Sequence, residues 1–176
     1  MTLTIIVLSF FIYSFIGWIY ESAICSLINE KRLTNRGFLY GPYCPIYGTG
    51  AVLSWFLLKD ISNALLIFFL AAIICSTLEY VTSTVMEKLF NRSWWDYSNL
   101  PLNIDGKICL YAGVFFGVAV VIEVLYLHPI MLFLLSQIEG SFLAVFAIIL
   151  LFIWIIDFFI TITHRHMTIK EFNWLT

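Results

Sequence analysis

The chain has 176 residues, of which 62% are hydrophobic and 11% charged, with a net charge of −2 and a mean hydropathy of +0.98. A soluble domain carries about a quarter charged residues, so this composition excludes a water-soluble enzyme and defines an integral membrane protein. There is no basic patch, which excludes nucleic acid as a partner.

A helix needs about 20 mostly apolar residues to cross a bilayer. Five candidate spans follow in chain order, over residues 3–28, 44–58, 62–86, 107–128 and 141–163. The first begins MTLTIIVLSFF, without a basic n-region or a small-residue cleavage site, and reads as a retained span. Helical spacing puts Ser14, Gly17, Trp18, Glu21 and Cys25 on one of its stripes.

The loop that follows contains NRGFLYGPYCPIYGTG, Asn35 to Gly50. Gly37, Gly41, Pro42, Pro45, Gly48 and Gly50 predict a dipping loop that turns into a short second span. Its amides are expected to meet an anion. Arg36 suits a carboxylate or phosphate, or serves as counter-ion to a membrane acid, and Asn35 caps or reads a polar group. For Gly48 and Gly50 the alternative is close helix packing, favoured at Gly50.

The third span carries Ser76, Glu79, Ser83 and Met86 on one stripe. After it, WWDYSNLPLNIDG offers Trp94, Trp95, Asp96, Tyr97 and Asn103. Trp94 fits an interfacial belt, while Asp96 is expected to pair with Arg36 or Arg92 or to ligate a cation. Glu123, near the outer end of the fourth span, is expected to reach the interface. The stretch HPIMLFLLSQIEG, His128 to Gly140, reads as an interfacial or re-entrant piece too short to cross again. The fifth span groups Asp157, Thr161 and His164, and His164 and His166 flank Arg165 as juxtamembrane charges.

Lysine and arginine set the orientation. Lys31, Arg32, Arg36, Lys88, Arg92, Lys107, Arg165 and Lys170 fall on one side of a five-span chain, and Lys59 alone on the other. The N-terminus is therefore expected outside and the C-terminus in the cytoplasm. The expected fold is an all-α polytopic bundle of about five transmembrane helices forming a single membrane domain. A weak parallel two-helix repeat relates units 1–58 and 62–128, with the last helix, 141–163, unpaired. It rests on laying EKRLTNRGFLYGPYCPIYG against EKLFNRSWWDYSNLPLNIDG.

Glu21, Glu79 and Asp157 precede cytoplasmic Lys31, Lys88 and Arg165 by ten, nine and eight residues. That places them at a common depth of roughly 12–15 Å. A carboxylate in hydrocarbon costs roughly 2.5–3.5 kcal/mol. Three at one depth point to a cytoplasm-facing polar cavity binding a cation, a proton or a cationic group, and interhelical bonding is the alternative. The candidate binding set is Glu21, Asn35, Arg36, Glu79, Trp95, Asp96, Tyr97, Asn103 and Asp157. Cys25, Cys44, Cys75 and Cys109 form no CxxC pair and read as reduced thiols. No Walker A, GxSxG, HExxH or GxGxxG pattern is present, so no catalytic residue or cofactor follows.

GWIYES, NRGFLYGPYCPIYGTG, LEYVTSTVMEKLF and WWDYSNLPLNIDGKICL together resemble the bacterial ABC-transporter permease family of the CmpB-like type, also called type IV. The resemblance covers most of residues 10–128. It implies a small multi-pass protein of the bacterial inner membrane, surrounded by lipid, acting in transport. An ATPase subunit on a separate chain and a homo-oligomer that enlarges the pathway would complete it. Two alternatives stay open from the residues: a membrane-embedded enzyme using the carboxylates on a lipid or isoprenoid, and a scaffold with structural polar residues.

Overall fold

The computed structural model describes residues 2–25, 35 and 37–172, and in 25 and 165–172 the backbone alone. Among the described residues six α-helices follow one another: α1 (Leu3–Ile19), α2 (Pro45–Leu58), α3 (Ala64–Phe90), α4 (Leu110–Ile122), α5 (His128–Ser136) and α6 (Gly140–Phe172). Two π-helical segments continue them, Tyr20–Cys25 after α1 and Glu123–Leu127 between α4 and α5. No strand is present among the described residues.

Local chemistry sets the helix ends. Thr2 and Asn63 are N-caps, with the Asn63 side chain accepting from the Leu66 amide at 3.0 Å. Pro45 opens α2, where its missing N–H costs no intrahelical bond. Asn91 ends α3 in the left-handed region at φ 47°.

Four stretches among the described residues are long and apolar enough to cross a membrane: Leu3–Ile24, Ala64–Phe90, Leu110–Ser136 and Gly140–His164. The second expected span, 44–58, is the shorter apolar helix Pro45–Leu58, whose 14 residues extend about 21 Å.

His128 to Ser136 is not the separate interfacial or re-entrant piece expected from its length. It continues α4 as one apolar stretch, Leu110–Ser136. A proline normally collides with the carbonyl four residues earlier. Here that carbonyl, of Leu125, lies in the wider π turn, so the helix passes Pro129 and goes on.

The chain divides into two compact units, residues 1–49 with 138–176, and residues 50–137. In the first, α1 packs on α6, where Phe10 meets Trp154 edge to face with ring centroids 6.0 Å apart. The start of α2 approaches α1 at Gly48, where a Cβ would collide with the Phe10 carbonyl and the Ser14 hydroxyl. In the second, α3 lies along α4 around a core of Leu58, Ile67, Ala71, Cys75, Val120 and Val124.

Candidate functional site

In the first unit, Asp157 projects from α6 into the loop before α2. Its carboxylate accepts from the amides of Tyr40 at 3.1 Å and Gly41 at 2.8 Å. It also accepts from the hydroxyls of Tyr43 at 2.5 Å and Thr161 at 2.9 Å. The loop amides do meet an anion, and the anion is the protein's own side chain. Burial first, and then the bond to Asp157, push the Tyr43 phenol above its ordinary range. Asn35 organises the other end of the same loop. It accepts from Trp18 Nε1 at 2.9 Å and the Gly37 amide at 3.0 Å, and donates to the Tyr40 carbonyl at 3.1 Å.

Glu21 opens the turn in which α1 becomes π-helical and accepts from the Tyr47 hydroxyl at 2.6 Å. A π turn is rare and frequent at functional sites. Both π segments among the described residues contain a membrane glutamate in their first turn, Glu21 in one and Glu123 in the other.

In the second unit, Glu79 is 5% exposed on α3 and accepts from the Tyr97 hydroxyl at 3.0 Å. The loop that presents Tyr97 is tied internally. The Tyr97 amide donates to the Gly106 carbonyl at 2.7 Å, and Trp95 Nε1 donates to the Lys107 carbonyl at 2.9 Å. Asn103 bridges the carbonyls of Ser98 and Leu100 and the Gly106 amide, and Gly106 takes φ +66°. Asp96 accepts from both the amide and the hydroxyl of Ser98. Those bonds, the hydroxyl's first, hold its carboxyl below the usual range. Arg92 sits over the Trp94 ring, 5.8 Å from its centre. Lys107 bridges Glu87 at 2.9 Å and Thr84 at 3.2 Å; the bond to Glu87 raises its pKa.

Within the first unit the structure therefore groups Asp157 with the loop that Asn35 shapes, and groups Glu21 with Tyr47. Within the second it groups Glu79 with Tyr97, on a loop ordered by Trp95, Asp96 and Asn103. Arg36, Lys31 and Arg32 lie outside the described residues, as do the side chains of Arg165, His166 and Lys170. A shallow groove of about 560 Å³ runs between Tyr40, Tyr43, Ile153 and Ile160 beside Asp157. Its walls are mostly apolar, and neither Glu21 nor Glu79 lines it. No group of three or more His, Cys, Asp or Glu with metal-binding geometry occurs among the described residues.

Sequence reasoning missed two things. Tyr47 and Tyr43 were not singled out as partners of Glu21 and Asp157, although both lie in the punctuated loop. Glu123 was expected to reach the interface, but it is 5% exposed and paired with His128 at 3.0 Å. The apolar stretch runs on for 13 residues beyond it, to Ser136, further than the expected 107–128 span.

Four apolar helices of this length among the described residues make the chain a multi-pass, all-helical membrane protein. It belongs to the family described as "Putative ABC-transporter type IV", whose model matches residues 8–162. No curated protein and no solved structure matches the chain.

Proposed function

We propose that the protein is the permease-like component of a transporter in the bacterial inner membrane, with Glu21 and Glu79 lining polar sites open to the cytoplasm. The observation that carries this reading is that each of these membrane carboxylates accepts a tyrosine hydroxyl from its own unit, Glu21 from Tyr47 in the first turn of α2 and Glu79 from Tyr97 in the loop after α3. A phenol orients a carboxylate without neutralising it. The group therefore keeps its capacity for a proton, a cation or a cationic substrate group. Asp157 already accepts four hydrogen bonds. Its proposed role is to position the loop, as Asn35, Trp95, Asp96 and Asn103 do in their own segments.

The family membership supports transport. This chain has no nucleotide-binding motif, so the proposal assigns ATP hydrolysis to a partner. The orientation with the C-terminus in the cytoplasm, the single membrane domain and the two-helix repeat belong to the same reading and rest on charge placement and sequence register.

Thiol accessibility tests the reading. Glu21→Cys and Glu79→Cys, in inside-out membrane vesicles, are treated with a membrane-impermeant methanethiosulfonate, with wild type as the background for the native thiols. Both introduced thiols should react from the cytoplasmic face. If neither reacts until the protein is unfolded in detergent, the carboxylates are sealed and the transport reading fails.

A further inference from the structure

Glu123 and His128 lie five residues apart inside the apolar stretch Leu110–Ser136. On a regular α-helix that spacing separates side chains by about 140° around the axis. The π turn removes the offset. The His128 amide donates to the Glu123 carbonyl, an i to i+5 bond, and His128 Nδ1 meets Glu123 Oε1 at 3.0 Å. The backbone irregularity is what brings the two side chains together.

Both are buried, Glu123 at 5% exposure and His128 at 0%. The Trp55 ring stacks on the imidazole with centroids 4.0 Å apart and planes 14° from parallel. Leu58, Ile67, Val120 and Val124 form the apolar cluster of this unit. Glu123 Oε2 is buried and makes no hydrogen bond among the described residues. An ionised, unbonded carboxylate oxygen in apolar surroundings is costly, and a proton on Oε2 lowers that cost.

We propose that Glu123, His128 and Trp55 form a proton-binding site within the membrane, in which a proton from water adds to and leaves Glu123 Oε2. The imidazole lies between Oε1 and the indole face, which favours a cation. Protonation of Oε2 raises the charge of the pair by one, and the Trp55 face makes the added charge tolerable. Facing groups are few. On α3 the Cys75 thiol lies 3.7 Å from the Ser54 hydroxyl, and Glu79 accepts from Tyr97. Residues 50–58 of α2 carry no titratable side chain, and Lys59 and Asp60 just beyond form an exposed ion pair. On the helix itself Tyr126 is exposed. This inference goes beyond the transport reading and does not depend on it.

Infrared titration of the full-length protein in lipid vesicles tests it. A carboxylic-acid C=O band should grow as the pH is lowered from about 9 to about 5 and be missing in Glu123→Gln. In His128→Asn, without the imidazole that bonds Oε1, the band should persist to a pH higher by on the order of one unit. Trp55→Phe should retain a titrating band. The proposal is overturned if no Glu123-dependent band changes over that range, or if His128→Asn leaves the titration in place. Should Glu123→Gln not fold, wild-type protein is labelled with dicyclohexylcarbodiimide and mapped by peptide mass spectrometry. Labelling at Glu123 that slows as pH rises supports the site, and no label at Glu123 at any pH overturns it.

Discussion

Residues 37–43 are bonded to a side chain far along the chain, whereas residues 91–109 are bonded to one another and, through Tyr97, Asp105 and Lys107, to the neighbouring helix α3. In the first loop, Tyr40, Gly41 and Tyr43 all donate to Asp157, more than 110 residues later. In the second, Trp95, Asp96, Tyr97 and Asn103 bond mainly to backbone within the same loop, and Tyr97 alone of these reaches a membrane acid. A loop whose distant bonds run through one carboxylate concentrates much of its stability there, beside the bonds Asn35 makes at its other end. A loop held by many short-range bonds spreads it, and single changes there cost little.

The largest expected effect is therefore at Asp157. Asp157→Ala strips two loop amides and a phenol of their acceptor and should cost about 2–4 kcal/mol, read as a lowered unfolding temperature in detergent. Next comes the pair of glycines in α2. Gly48→Ala drives a Cβ into the Phe10 backbone, which cannot yield cheaply, and should destabilise by about 1–3 kcal/mol. Gly50→Ala meets only Leu78 and Cys75 at 3.6 and 3.8 Å, so it should change stability by less than about 0.5 kcal/mol. Tyr47→Phe and Tyr97→Phe remove the hydroxyls from Glu21 and Glu79. Each should cost about 1 kcal/mol, the shorter Tyr47 bond more than the Tyr97 bond.

The smallest effect is the pH response of the second loop. The Asp96 carboxyl titrates lower in the folded protein than its ordinary value of 3.8, through its bonds from Ser98. The stabilisation is present above that ordinary value and is lost as pH falls through the lowered one. Tryptophan fluorescence from Trp94 and Trp95 should report loosening only in strong acid. Ser98→Ala should move that change to higher pH, and an identical profile in the variant would sink the assignment.

The helices were legible in the sequence because apolar run length is a strong signal. So was the non-helical segment before α2, because Gly37, Gly41, Pro42 and Pro45 interrupt that run. The partner of the loop was not legible, since nothing local links Asp157 to Tyr40–Tyr43. The register of α4 was misread for a related reason. Pro129 looks like a stop, and the π turn that lets a helix pass it has no sequence signature. The same turn hides the pairing of Glu123 with His128, whose spacing of five fits neither face of a regular helix.

Hydrogen exchange with mass spectrometry on wild type and Asp157→Asn tests the contrast between the loops most directly. The account predicts faster exchange confined to residues 37–43, with residues 91–109 unchanged. Equal acceleration in both segments, or none in residues 37–43, would contradict it.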